Sequence, residues 1–214
     1  MNSLKNGNRE LLIVPFIHPP AIRMREFWRK KHGEKLAQKM EEKIEDVANE
    51  LLSRAAERIK PFKIDAIFLE GLCHKMDATL LEHLLDGGES SSLEILVGPN
   101  KLVEILRYLR KNGARLEKTE SYTAYKLAHQ LSSFPNLFHL LGGICYIRDL
   151  WMSHNIGRKL KKGERGIIFY GCGHDVVPYL GLHSPDIQIW RVISQAELNE
   201  KLLEILEYFD SICR

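Results

Sequence analysis

Apolar residues cluster in short runs along the chain, and turn-forming residues separate these runs. Runs of this length are typical of strands that are buried on both faces of a sheet. Five of them predict strands: LLIVPFI (11–17), IDAIFL (64–69), LEILVG (93–98), GIIFY (166–170) and IQIWRVI (187–193).

Between these runs, apolar residues recur at the three- and four-residue spacing of a helix face. The longest such pattern covers 22–60 and ends at Pro61. Ser194 and Glu197 form a capping box that predicts the start of the last helix. Other helices are predicted at 77–87, 100–112, 123–131, 136–141 and 142–163. Strands that alternate with helices indicate an α/β fold, a mainly parallel sheet of about five strands with helices on both faces. We expect a single domain over 1–214, with 1–10 as a flexible tail.

Composition narrows the class of protein. The chain has 214 residues, 44% of them hydrophobic, and a net charge of +3. This favours a globular protein and argues against nucleic-acid binding. No run approaches the roughly 18 apolar residues that a spanning helix needs, and no signal peptide is evident. We therefore expect a cytoplasmic protein without a membrane partner, and a homo-oligomer is possible.

The four cysteines form no C-x-x-C pair. A zinc ribbon or a disulfide framework is therefore not predicted.

Three residues of metal-ligand type follow predicted strands, namely His18, Glu70 and His174. Ligands of open parallel sheets bind beyond the carboxyl ends of the strands, so we expect these side chains to converge there. Two imidazoles and a carboxylate suit a divalent metal with open coordination positions, which could activate a bound water molecule. Each residue alone also has an ordinary structural interpretation as a cap or an ion-pair partner.

His174 ends the sequence Gly-Cys-Gly-His, residues 171–174. Gly171 and Gly173 are predicted to let the backbone approach a ligand or metal closely. On this interpretation, Gly173→Val should abolish binding, whereas His174→Ala should leave stability nearly unchanged or raise it. A thiolate nucleophile, Cys172 with His174 as its base, is an alternative, as is soft metal ligation by Cys73 and Cys172.

Four segments extend this pattern in a particular order: PFIH (15–18), IFLEGLC (67–73), RDLWMSHNI (148–156) and GCGH (171–174). In this order they resemble a superfamily that contains the TraB pheromone-shutdown proteins, the Tiki metalloproteases, the erythromycin esterases and the haem-binding ChaN-like proteins. Its members share two G-x-x-H motifs, a strand that ends in glutamate, and a helix with R-D-x-x-M-x-x-N. Arg148, Asp149, Met152 and Asn155 match that helix. Pro15 stands where the family has glycine.

The resemblance implies a small hydrolase that depends on a divalent metal (Zn, Mn or Co) and acts on an ester or amide bond of a small molecule or peptide. His18, Glu70 and His174 would hold the metal; alternatively, the two histidines would act as bases, or Glu70 would be the base that activates water. Glu70, Arg148 and His174 would be catalytic, with Arg148 steadying an anionic group or the oxyanion. Gly171 and Gly173 would contact the bound group.

Asp149 and Asp175 are candidates for orienting an imidazole. The ChaN-like members imply an alternative, a protein that binds a metal, haem or a small anion on the same scaffold without turnover. A third possibility is a protein-interaction module in which these residues only support the structure.

Overall fold

The computed structural model describes residues 8–18, 22–73, 75–87, 99–131 and 138–213. They form five strands: β1 (Arg9–Phe16), β2 (Ala66–Leu69), β3 (Arg115–Glu117), β4 (Arg165–Gly171) and β5 (Ile187–Arg191). They also form eight helices: α1 (Ile22–His32), α2 (Glu34–Ile59), α3 (Lys75–Gly87), α4 (Asn100–Lys111), α5 (Tyr122–Leu131), α6 (Phe138–Lys159), α7 (Val177–His183) and α8 (Gln195–Cys213).

The strands make one parallel sheet with the order β3-β2-β4-β1-β5. Helices α2, α3, α4 and α8 bury their apolar faces against one side of the sheet. Helices α6 and α7 cover the other side, where Met152, Ile156 and Leu180 lie in the core. The predicted α/β fold with helices on both faces is therefore confirmed.

The sheet contains one strand that the sequence did not predict. The predicted strand at 93–98 lies outside the described residues. Strand β3 was not predicted, because it has only three residues and Leu116 is the one apolar residue among them. The described sheet thus has the expected size with one unexpected member.

Chain connections place a crevice between β4 and β1. From β1 the chain leads to β2 and then β3, toward one edge, whereas from β4 it leads to β5, at the other edge. Two neighbouring strands whose following connections run toward opposite edges of the sheet form a topological switch point. Ligands of open α/β sheets bind at such points. His18 follows β1 and His174 follows β4, so both lie at this point.

Two details near the amino terminus depart from the sequence expectations. The helix predicted at 22–60 is broken into α1 and α2 at Gly33, whose φ of +84° ends the first helix. Strand β1 begins at Arg9, so 9 and 10 belong to the sheet and not to a tail. Glu10 accepts a hydrogen bond from Arg165 there.

Pro15 lies in β1, between two neighbouring strands, where proline is normally unfavourable. Ile13, two residues earlier, directs its carbonyl oxygen toward the β5 side and accepts from the N–H of Val192. Pro15 faces the same side, but pairing with β5 ends at Ile13 and Arg191. The missing N–H of Pro15 therefore removes no hydrogen bond from the sheet.

Candidate functional site

Glu70 is the centre of a cluster at the carboxyl edge of the sheet. One carboxylate oxygen, Oε2, accepts from the N–H of Gly171 at 2.5 Å and lies 3.0 Å from Nε2 of His18. The other, Oε1, accepts from Nη2 of Arg148 at 2.8 Å and lies 3.1 Å from Nε2 of His174. The structure thus brings His18, Glu70 and His174 together, and it places Arg148 beside them.

His174 is held from both sides by carboxylates. Its Nδ1 lies 2.6 Å from Oδ1 of Asp149, opposite the contact with Glu70. Because each ring nitrogen faces a carboxylate oxygen, the ring carries a proton on both nitrogens. Burial would lower the pKa of His174, but the bonds to Asp149 and Glu70 outweigh burial and raise the pKa to about 9.

The same contacts act on Glu70. Burial would raise the pKa of its carboxyl group, but hydrogen bonds with His174 and His18 outweigh burial and hold the pKa well below its usual range. Glu70 is therefore a carboxylate at neutral pH. The expectation that His174→Ala would leave stability unchanged does not suit this arrangement, because the substitution leaves two buried carboxylates without their shared cation.

Two aspartates were candidates for orienting an imidazole. Asp149 does so, and its second oxygen accepts from the N–H of Asp175 at 3.1 Å. The side chain of Asp175 instead accepts from the N–H of Val177 at 3.2 Å and from Arg191 at 3.4 Å.

Glu120 is a member of the cluster that the sequence analysis missed. Its side chain is fully buried and accepts from Nε and Nη2 of Arg148 at 2.8 and 2.9 Å. It also accepts from the N–H of Gly71 at 2.8 Å. Glu120 follows β3 as Glu70 follows β2, so the strand-end pattern would have found it had β3 been predicted. We call His18, Glu70, Glu120, Arg148, Asp149 and His174 the Glu70 cluster.

Arg148 points into the cluster and not into solvent, as its place in the sequence motif predicted. Burial would lower the pKa of its guanidinium, but Glu120 and Glu70 outweigh burial and raise the pKa further above its usual range. The guanidinium also lies 5.5 Å from the centre of the Tyr125 ring. Its hydrogen bonds to described residues use Nε and Nη2 and not Nη1.

The two glycines of the Gly-Cys-Gly-His segment differ. A Cβ added to Gly171 would overlap the ring of His18 and lie 3.0 Å from Oε2 of Glu70, so close approach requires glycine there. A Cβ added to Gly173 would meet no described atom within 4 Å. The described residues therefore give no steric reason for glycine at 173, and its predicted contact with a bound group stays a prediction.

His18 is the accessible histidine of the cluster. Its side chain is 50% exposed, compared with 6% for His174. The ring packs edge-on against Phe16, with 4.4 Å between ring centres, and its contact with Glu70 uses Nε2. The Nδ1 side of the ring is therefore the part that can meet a substrate or water.

The atoms around the Glu70 carboxylate are N–H donors, which suit hydrogen bonds and not coordination of a divalent ion. An imidazole ligand must offer a lone pair to a metal, but both nitrogens of His174 face carboxylates. Arg148 already bonds Oε1 of Glu70, and a second cation there would be repelled. Within the described ranges, no group of three or more His, Cys, Asp or Glu side chains is placed to hold a metal ion. As placed, these residues do not fit a divalent ion, and the predicted metal at His18, Glu70 and His174 stays a prediction.

The thiol alternative finds little support in the contacts. Burial raises the pKa of Cys172, which disfavours a thiolate. His174 cannot serve as its base, because Glu70 and Asp149 occupy both ring nitrogens.

An open cleft of about 680 Å³ adjoins the cluster on the His174 side. It lies over the carboxyl ends of β4, β1 and β5, between α6, α7 and the start of α8. We refer to it as the cleft, and its walls include Tyr146, Asp149, His174, Tyr179 and Arg191. The sequence analysis missed its aromatic and basic members, because none of them belongs to a strand-end motif.

Comparison with known proteins identifies no relative. No family model matches this chain, and no curated protein or solved structure shows significant similarity to it. The resemblance to the TraB, Tiki, erythromycin esterase and ChaN-like superfamily therefore stays a prediction. No helix in the described part of the chain is long and apolar enough to cross a membrane.

Proposed function

We propose that the protein hydrolyses an ester or amide bond of a small molecule or peptide, with His18 as the base that activates water. The observation that supports this most is the half-exposed His18, whose Nε2 is held by the buried carboxylate of Glu70 at 3.0 Å. A carboxylate that accepts from one imidazole nitrogen fixes the tautomer and leaves the other nitrogen as the proton acceptor.

In the proposed reaction, one proton moves from water to His18 and then to the leaving group. Nδ1 of His18 takes a proton from water as the oxygen of that water bonds to the carbonyl carbon. The carbonyl oxygen then carries the negative charge. When the carbon–oxygen or carbon–nitrogen bond of the leaving group breaks, the imidazolium of His18 returns the proton to the leaving atom.

Arg148 is suited to stabilise the charge on the carbonyl oxygen. Two of its nitrogens are fixed by Glu70 and Glu120, so the guanidinium does not have to reorganise when the charge develops. Its Nη1 is the donor that remains for the substrate. A preorganised donor of this kind typically contributes about 10²–10³-fold to the rate.

His174 has a different role from His18 in this proposal. Because Asp149 and Glu70 occupy both ring nitrogens, His174 acts as a fixed cation. It keeps Glu70 ionised and directed at His18. It therefore positions the base and does not take the proton from water.

The test is hydrolysis of 4-nitrophenyl acetate and 4-nitroacetanilide by the protein and by His18→Gln. We expect His18→Gln to lose about 10²-fold or more of any activity while its circular dichroism spectrum is unchanged. His183→Gln is the matched control, because His183 lies on the exposed end of α7. Equal activity of His18→Gln and the parent would refute the role of His18.

The metal-dependent version of this hydrolase is tested with the same substrates. Elemental analysis of protein purified without a histidine tag measures bound Zn, Mn or Co, and a chelator shows whether activity depends on them. A bound metal or haem in a protein that hydrolyses neither substrate would favour the non-catalytic alternative. In that case His18 is the exposed imidazole that could serve as a ligand.

A further inference from the structure

We infer that the cleft binds a small molecule that carries a carboxylate group next to an aromatic ring, with the carboxylate on Arg191. The binding itself does not depend on hydrolysis. That the bound molecule is the substrate rests on the proposed function, since the cleft adjoins the Glu70 cluster through His174 and Asp149.

The position and size of the cleft suit a ligand of this kind. Small-molecule pockets typically have volumes of about 300–1,000 Å³, and this cleft has about 680 Å³. It lies at the carboxyl edge of β4 and β1, the switch point at which open α/β sheets bind ligands. Apolar residues and a few polar groups share its walls, as in binding pockets generally.

Two tyrosines supply an aromatic wall. The rings of Tyr146, on α6, and Tyr179, on α7, meet edge to face with their centres 5.1 Å apart. Tyr146 remains 52% exposed, although a large apolar ring normally gains from burial. A third ring packed against this pair in an offset or edge-to-face geometry would bury that surface.

Arg191 supplies the charge. It ends β5, and its side chain is about one-third exposed. Its bond to Asp175 is a single long contact of 3.4 Å, and that Asp175 oxygen also accepts from Val177. By contrast, Arg58 donates two hydrogen bonds to the carboxylate of Glu197, at 3.0 and 2.6 Å. Arg191 also interacts with the hydroxyl group of Tyr170, but no carboxylate in the described part of the chain pairs with both arms of its guanidinium fork.

A guanidinium fork binds a carboxylate best through two parallel N–H···O bonds. Asp175 does not offer this geometry to Arg191, but a ligand carboxylate entering the cleft can. The other carboxylate of the cleft, Asp149, does not repel such a ligand strongly, because its oxygens already accept from His174 and from the N–H of Asp175. Asp175 remains the opposing charge beside Arg191, so a ligand carboxylate has to displace its single long contact.

The experiment measures binding of matched probes by isothermal titration calorimetry. The probes are benzoate, phenylacetate and hippurate, each compared with its primary amide, which keeps the shape and removes the charge. We expect at least one carboxylate to bind tenfold or more tightly than its amide. In Arg191→Gln this ratio should fall to within about twofold. Tyr179→Leu should weaken both members of the pair and keep the ratio.

Arg158→Gln is the matched control, because Arg158 is exposed at the end of α6, away from the cleft. It should keep the full carboxylate preference. Binding should also persist in His18→Gln, so that a failure of the proposed hydrolysis is distinguishable from a failure of this inference. The inference is overturned if no carboxylate binds more tightly than its amide, or if the preference survives in Arg191→Gln.

Discussion

Two of the arginine-centred charge clusters in the described part of the chain lie at opposite ends of the strands of the sheet. At the carboxyl edge, Arg148 bonds Glu120 and Glu70. At the amino edge, Arg115 bonds Glu164 through two nitrogens at 2.9 and 2.8 Å, and it bonds Glu117 at 2.9 Å. We call Arg115, Glu117 and Glu164 the Arg115 cluster. Both arginines bind two glutamates with similar lengths, so the hydrogen bonds alone do not distinguish the two clusters.

Burial distinguishes them. The side chain of Arg115 is 30% exposed, whereas that of Arg148 is 10% exposed and that of Glu120 is fully buried. Exposed ion pairs contribute little to stability, because water screens them. Buried ones are costly to form and still more costly to break, because a charge left without its partner stays out of water. The comparison indicates that the Arg115 cluster lies nearer the surface, whereas the Glu70 cluster is buried at the proposed site.

The largest expected difference in stability comes from replacing the arginine of each cluster by glutamine. Arg148→Gln leaves Glu120 buried without a compensating charge and leaves Glu70 with His174 as its buried cation. We expect it to lower the free energy of unfolding by about 3–5 kcal/mol. Arg115→Gln removes an equally bonded arginine that is only partly buried, and we expect a smaller loss of about 1 kcal/mol or less. Urea unfolding of both variants measures the difference.

Arg148→Lys sharpens this test, because it keeps the charge and removes the fork. It should be less destabilising than Arg148→Gln, yet it should still impair ligand binding, since one ammonium cannot bond two carboxylates and a substrate in this geometry. Equal losses in Arg148→Gln and Arg115→Gln would contradict the distinction between the clusters.

The pH dependence of stability is the next largest effect. The pKa of His174 is raised from 6.5 to about 9 in the folded protein. A raised pKa adds stability that is fully present below pH 6.5 and is lost as the pH rises through 9. This shift corresponds to roughly 3 kcal/mol.

Urea unfolding at a series of pH values between 6.5 and 9 checks this expectation. The free energy of unfolding of the parent should fall over this range relative to that of His174→Gln, which lacks the titrating group. Arg115→Gln should show the same decline as the parent, because the Arg115 cluster contains no histidine. A flat difference between the parent and His174→Gln would show that His174 is neutral.

A smaller effect is expected at the glycines beside the cluster. The Cβ of Gly171→Ala would displace the ring of His18, which is half exposed and can move, so we expect a stability loss of only about 1 kcal/mol. The displacement should nevertheless remove most of the hydrolysis that His18 supports. Gly173→Ala, with open space around it, should change stability by less than about 0.5 kcal/mol. Thermal melts and the 4-nitrophenyl acetate assay separate the two variants.

The contrast between these regions also explains what the sequence could predict. His18, Glu70 and His174 each follow an apolar run, and parallel strands end at one edge, so their convergence was predictable. The pairing of His174 with Asp149 was one of two options that the sequence left open. Glu120 was not predictable, because its strand is three residues long and carries little hydrophobic pattern. The cleft was not predictable either, since Tyr146, Tyr179 and Arg191 come from elements whose packing no local spacing determines.

The smallest expected effect is the response of the two clusters to salt. Raising ionic strength from ~0.05 M to ~1 M shortens the screening length to about 3 Å, which weakens exposed pairs but leaves buried ones nearly unchanged. The stability difference between the parent and Arg115→Gln, already about 1 kcal/mol or less, should therefore shrink toward zero. The difference between the parent and Arg148→Gln should stay the same within error. Urea unfolding at both salt concentrations measures these two differences. If the Arg148 difference shrank as strongly as the Arg115 difference, water would reach the Glu70 cluster as freely as it reaches the surface.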